Sequence, residues 1–302
     1  MVKKIFFLSF FCLALVSQAL GAEDTDRIET DEVTILFEKG LRIAAEETAN
    51  IYPRLKAEIE KTFDWKLDFK PTILLTSNRV RFEELTGNSL VAAYAIPQRN
   101  LIVVDYLKSS THPFSLPTIL KHELCHLLLH HRIKKGDLPK WLDEGVSQWA
   151  SDGIGEIILS GKGSYLNAAL LSGKLIRLER LSESFPEDEK SLLLAYEQSK
   201  SLVDYIGNEF GRNGILSLLR HLKDGDEIDV ALQKSLSVRF EELERDWHSH
   251  LRKRITWFTY LARNLYGILF FFAALITVVG FVRLVIKKRR MEEEESSLNE
   301  YH

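Results

Sequence analysis

Two hydrophobic patterns divide the chain. Before residue 110, short apolar runs alternate with turn-forming residues; after it, apolar residues recur at three- and four-residue spacing. Residues 33–37 (VTILF), 71–76 (PTILLT), 91–95 and 100–105 (NLIVVD) read as strands, with Pro97, Gln98 and Arg99 turning between the last two. Residues 41–61 read as a helix that Pro53 should kink or divide. Residues 81–85 suit a short helix ending at Gly87. Further helices are predicted over 115–131, 140–151, 215–222 and 237–254. Another, over 191–210, has Leu192, Tyr196, Ser199, Val203, Ile206 and Phe210 on one stripe and Gly211 as its stop. Strands first and helices afterwards predict an α+β fold, a small β-sheet followed by a mostly helical part.

The two ends carry a different signal. Residues 1–22 have a basic start at Lys3 and Lys4, an apolar stretch over 5–16 and then small residues, the three parts of a secretory signal peptide. Cleavage after Ala19 and after Ala22 both fit the small-residue rule. Residues 265–282 (LYGILFFFAALITVVGFV) are 18 positions without a charge, long enough with their flanks to cross a bilayer. Trp257 and Tyr260 are placed to sit at the near interface, and Lys287, Lys288, Arg289 and Arg290 follow on what should be the cytoplasmic side. The expected organisation is a signal peptide at 1–22, a catalytic domain at 23–254, a transmembrane helix with flanks at 255–286 and a cytoplasmic tail at 287–302. The expected location is a bacterial inner membrane, with the domain on the extracytoplasmic side.

Composition excludes little else. The 302 residues suffice for one or two domains with a real core. A formal net charge of −3 argues against a dedicated nucleic-acid binder. Cys12 lies in the signal peptide, so Cys125 is left without an intrachain disulfide partner, and it reads as a small core residue.

Chemistry concentrates at His122-Glu123-Leu124-Cys125-His126, an H-E-x-x-H motif. On a helix, His126 sits about 40° around from His122 and one turn along, so both imidazoles can reach one metal. Glu123 lies on the flank, where it can contact a water at that metal without ligating it. A catalytic zinc needs a third protein ligand and an open fourth position. His130 is a poor candidate, because it lies about 12 Å along the axis from His122; with His131 it reads as a solvated helix end. Asp143 and Glu144, in Trp141-Leu142-Asp143-Glu144-Gly145 at the start of the next helix, are better placed.

HELCH, followed after 17 intervening residues by Glu144 within WLDEG, resembles the gluzincin metallopeptidases, and most of all the single-domain peptidase MA-like proteins. Weaker similarity surrounds it. Ala92-Ala93-Tyr94-Ala95 with residues 100–105 resembles the family's central strands. Residues 195–199 and 240–247 resemble its later helices. The resemblance implies a zincin-like catalytic domain with His122, His126 and Glu144 as ligands of one Zn2+ and Glu123 as general base. Glu123 would assist attack of a zinc-bound water on a peptide bond. Asp143 would then be a sequence neighbour and not a ligand. Thermolysin-like relatives place an aspartate four residues after the ligand glutamate to support a histidine; here Gln148 stands there, able to accept an imidazole N–H through its carbonyl. Tyr196 is positioned like a tyrosine that some gluzincins use to stabilise the oxyanion, with Tyr165 as a second candidate. Residues 92–95 are candidates for a sheet edge that pairs with an extended substrate. The expected partners are a peptide or protein substrate, membrane-associated ones included, and the membrane, with no nucleic acid. An endopeptidase is favoured. The same apparatus would serve a zinc hydrolase of non-peptide substrates, whereas an inactive zincin-fold scaffold protein would have lost Glu123 or a ligand.

Overall fold

The computed structural model describes residues 25–87, 91–110, 115–134, 138–151, 165–263 and 265–299. The expected signal peptide and the side chains of Trp257 and Tyr260 lie outside the described parts.

The sheet grows from four expected strands and one unexpected one. β1 (Thr25–Glu29) and β2 (Thr34–Glu38) form an antiparallel hairpin in which Ile28 faces Ile35. β1 escapes a sequence reading because TDRIE holds one apolar residue and shows no alternation. Helix α1 (Arg42–Phe63) then crosses back, so that β3 (Thr72–Thr76) pairs parallel to β2. The division expected at Pro53 does not occur. Seven side chains from Ala44 to Phe63 are buried at helical spacing on either side of it. Pro53 itself lies on the exposed face, where water can take the backbone acceptor it frees.

α2 (Arg79–Thr86) is capped by the Asn78 side chain and ends at Gly87, whose φ of 66° suits the residue without a Cβ. The chain then runs through β4 (Ala93–Ile96) and a 3-10 turn (Pro97–Arg99) into β5 (Leu101–Asp105). β5 inserts parallel to β3, and β4 lies antiparallel to β5. The order is β1-β2-β3-β5-β4, which leaves β4 at an edge of the sheet. All five β5 residues are buried, as expected for a central strand covered on both faces.

Helices follow. α3 (Tyr106–Ser109) is a single turn; α4 (Leu116–Arg132) packs on β4, β5 and α1. α5 (Lys140–Ala150) packs on α4 and on the long α8 (Glu189–Lys223). Between them lie α6 (Tyr165–Ser172) and α7 (Leu178–Glu183), which were not foreseen. Gly211 does not stop α8. It breaks it with φ 70° and ψ 174°, and the helix resumes, so the separate helix expected over 215–222 is its second half. α9 (Ile228–Leu236), also unforeseen, and α10 (Phe240–Arg263) complete the α+β fold.

Gly145 is required by packing. A Cβ there would meet the Ser199 carbonyl oxygen at 2.4 Å and Val203 Cγ2 at 2.6 Å. The glycine of WLDEG therefore lets α5 approach the α8 backbone, with Trp141 and Leu142 fully buried beside it. Burying such side chains stabilises the fold by roughly 1.5–3 kcal/mol each.

The chain divides into two compact units, Met1–Trp247 and His248–His302. The second contains α11 (Leu265–Asn299), in which the stretch Leu265–Leu284 is 20 residues long and apolar enough to cross a membrane. Its described apolar side chains, Phe270, Phe271, Phe272 and Ile276 among them, are exposed.

Candidate active site

α4 carries His122, Glu123 and His126; α5 carries Lys140, Asp143 and Glu144; α4 packs against β4, and α5 packs against α4. A cleft of about 410 Å³ opens at this junction. Glu123, His126, Glu144 and Tyr196 line it, with Tyr94, Ala95 and Ile96 of β4 above.

Two imidazoles and a carboxylate converge at its floor. His122 Nε2 lies 3.0 Å from His126 Nε2. Glu144 Oε2 lies 3.7 Å from the former and 3.5 Å from the latter. Ligands at about 2.0–2.1 Å on a tetrahedral zinc would stand roughly 3.3 Å apart, so this triangle has the right size. Glu144 Oε2 is buried without a hydrogen-bond partner, an acceptor that a cation would satisfy. Among the described residues, His122, His126 and Glu144 are the group able to hold a metal ion. Two nitrogen donors and one oxygen donor suit a catalytic zinc. The cluster fits the ion.

Asp143 organises the neighbouring shell. Its Oδ1 lies 2.7 Å from His126 Nδ1, and its Oδ2 lies 3.0 Å from His130 Nε2. A carboxylate at Nδ1 places the proton there, which leaves the lone pair of His126 on Nε2, toward the cluster. The support expected from Gln148 therefore comes from elsewhere. Gln148 donates through Nε2 to the Tyr196 carbonyl at 3.3 Å. His130 is likewise not a solvated helix end: one turn after His126, it shares the same carboxylate and is half-buried. Asp143 was legible in WLDEG as a side chain beside Glu144, but its partners were not, because they depend on how α5 crosses α4.

The electrostatics follow from burial and close charges. Burial would raise both acids of α5, but cations overcome it. His126 and then Lys140 hold Asp143 far below the carboxylate range. Lys140, with Nζ 2.7 Å from Glu144 Oε1, and then His126 do the same for Glu144. Against burial, which would lower it, Asp143 and then Glu144 push His126 well up. Glu123 behaves in the opposite way. Burial raises its carboxyl, opposed by His126, His122 and a hydrogen bond from the Ala95 backbone amide. Burial, reinforced by Glu144 and Glu123, also pushes the Tyr196 phenol well up, so it stays a donor. Tyr196 packs edge-on against Phe185 at 5.1 Å between ring centroids. Tyr165 packs against the core cluster of Leu74, Phe82 and Val91 and is not among the described residues that line the cleft. Cys125 is fully buried, and burial pushes its thiol up.

A sequence profile of the Peptidase MA superfamily matches residues 84–253, a span holding every residue of this cleft. The chain belongs to the Peptidase MA superfamily. No curated protein sequence matches it significantly. Among solved structures, it is similar to an aminopeptidase A from Legionella pneumophila, with 14% identity over 74% of this chain and a TM-score of 0.48. It is also similar to an M1 zinc metallopeptidase from Deinococcus radiodurans, with 13% identity over 74% and a TM-score of 0.44. Yeast LTA4 hydrolase aligns at 14% identity over 76% with a TM-score of 0.43. The chain spans 28%, 51% and 37% of the lengths of those three proteins.

Proposed function

We propose that this Peptidase MA member is a membrane-anchored, zinc-dependent endopeptidase. The observation that carries the reading is the buried His122–His126–Glu144 triangle with Glu123 beside it in an open cleft. His122 Nε2, His126 Nε2 and Glu144 Oε2 would hold the ion. Zinc, when bound, supplies Lewis-acid activation of water and of the scissile carbonyl.

The chain's own groups supply the rest. Glu123 Oε1 is buried and without a hydrogen-bond partner, so it is available to accept the proton of the attacking water. It then passes that proton to the departing amine. Burial makes the protonated form accessible, which suits a group that must both take and give a proton. Asp143 keeps the His126 ring oriented. The Tyr196 hydroxyl is the candidate second donor to the oxyanion. β4 presents an edge against which an extended peptide can add as a strand, and its Ala95 amide already holds Glu123.

Endopeptidase action is supported by the acids of the cleft. Among the described lining residues, Glu123, Asp143 and Glu144 are committed to the roles above, and the remaining acid, Glu183, is exposed at the rim. Among the described residues lining the cleft, this leaves no buried carboxylate for a substrate's terminal amine. Anchoring is supported by residues 265–284 and by the basic residues 287–290 after them. With a signal peptide at 1–22, the catalytic domain at 23–254 would lie outside the cytoplasm of a bacterial cell. Residues 255–286 form the span with its flanks, and 287–302 form the tail. Substrates would be peptides or proteins, including ones in the same membrane, where tethering raises effective concentration.

The test is a set of internally quenched peptides with both termini blocked, beside aminoacyl fluorophores, assayed with the zinc-loaded full-length chain and with Glu123→Gln. Cleavage of blocked peptides that Glu123→Gln abolishes is the expected result. Release of the aminoacyl fluorophores alone would make the protein an aminopeptidase.

A further inference from the structure

Lys140 is the one lysine or arginine among the described residues lining the cleft. It opens α5, and Glu144 follows four residues later on the same face. Its Nζ lies 2.7 Å from Glu144 Oε1 and 3.6 Å from Asp143 Oδ2. It also stands 5.9 Å over the Phe185 ring. The other oxygen of the same carboxylate, Oε2, faces His122 Nε2 and His126 Nε2. The two oxygens of Glu144 are thus divided between an ammonium and the metal-ligand triangle.

That division has a consequence for coordination. A carboxylate can give a metal one oxygen or both. Two histidines and both oxygens of Glu144 would supply four donors, so that a bound water would make a fifth. A catalytic site keeps three protein donors and an open position. Most lysine–glutamate pairs four residues apart lie in water and contribute little. Here the glutamate side chain is only 5% exposed while the lysine side chain is 39% exposed, so the carboxylate is buried and the ammonium reaches it from the rim.

We propose that Lys140 is a positioning residue that confines Glu144 to one-oxygen ligation and so holds the site at three protein donors, with the fourth position left to water. The inference rests on the zinc reading above.

The experiment uses Co2+ as probe on the full-length chain in detergent, comparing wild type with Lys140→Met and Lys140→Arg. Four-coordinate cobalt absorbs visible light more strongly than five-coordinate cobalt. In wild type and Lys140→Arg, one bound cobalt should give the strong four-coordinate band. In Lys140→Met, with Oε1 released to the metal, absorbance per bound cobalt should fall by about twofold or more. Equal bands in all three, with cobalt bound stoichiometrically, would overturn the role of Lys140 and leave the metal site standing. No cobalt bound by folded wild type would overturn the metal site itself, and this proposal with it. Should Lys140→Met fail to fold, zinc K-edge absorption on wild type decides instead. One carboxylate oxygen in a four-coordinate shell is expected; two oxygens from one carboxylate would overturn the proposal.

Discussion

Asp143 Oδ1 stands 2.7 Å from His126 Nδ1, so the residue just before one candidate zinc ligand orients another. The same carboxylate reaches His130 at 3.0 Å. One buried acid on α5 thereby ties two turns of α4 to the geometry of the cluster.

Removing that charge should weaken the site without emptying it. Asp143→Asn leaves an amide that can still accept from His126 Nδ1 but carries no charge. Zinc affinity is expected to drop about 10- to 100-fold, the usual effect of losing an outer partner. Chelator competition on the folded variant measures this, and unchanged affinity would show that Asp143 serves packing alone.

Glu123→Gln separates chemistry from structure. Zinc content and melting temperature should stay at wild-type values, while turnover of a working substrate drops by at least about 10²-fold. Tyr196→Phe should reduce kcat by about 10²- to 10³-fold with zinc content unchanged. Wild-type turnover in either variant excludes the role assigned to that residue.

Gly145→Ala tests the close approach of α5 and α8. Because the new methyl would lie 2.4 Å from the Ser199 carbonyl, backbone must move. A loss of about 1–3 kcal/mol is expected, read as a lower midpoint in urea. Zinc affinity should fall with it, since Glu144 is the preceding residue.

Lys108 provides a pH dependence away from the cluster. Burial, aided by Arg79, pulls its amine down to about 8, against the opposing pull of Asp105. In the unfolded chain it would titrate near 10.4. Between those values the unfolded state binds more protons, so stability rises with pH there; below about pH 8 the folded state carries the full cost of the charge. Lys108→Met should therefore raise the melting temperature more at pH 7 than at pH 10.5. An equal difference at both values would mean that Lys108 titrates normally.

Much of this was legible because it is local. HELCH puts two imidazoles on one helix face by periodicity, and WLDEG marks the carboxylate that joins them within 4.8 Å. The strands at β2, β3 and β5 announce themselves as apolar runs, and Gly87 marks its helix end through its backbone freedom. What stayed hidden depends on packing between elements. β1 is held by its pairing with β2 and not by its own residues. α1 passes through Pro53 because burial on its inner face outweighs one missing hydrogen bond. His130 reads as a solvated helix end until α5 is laid across α4, and Asp143 and Lys140 find their partners only there.

The central claim is that His122, His126 and Glu144 hold one zinc. Metal analysis of the full-length chain in detergent, beside its Glu144→Ala variant, tests it most directly. The account predicts one zinc per chain in wild type and its loss or marked weakening in the variant, with both proteins folded. A folded wild type that binds no zinc when zinc is supplied, or a Glu144→Ala variant that binds it equally well, would contradict it.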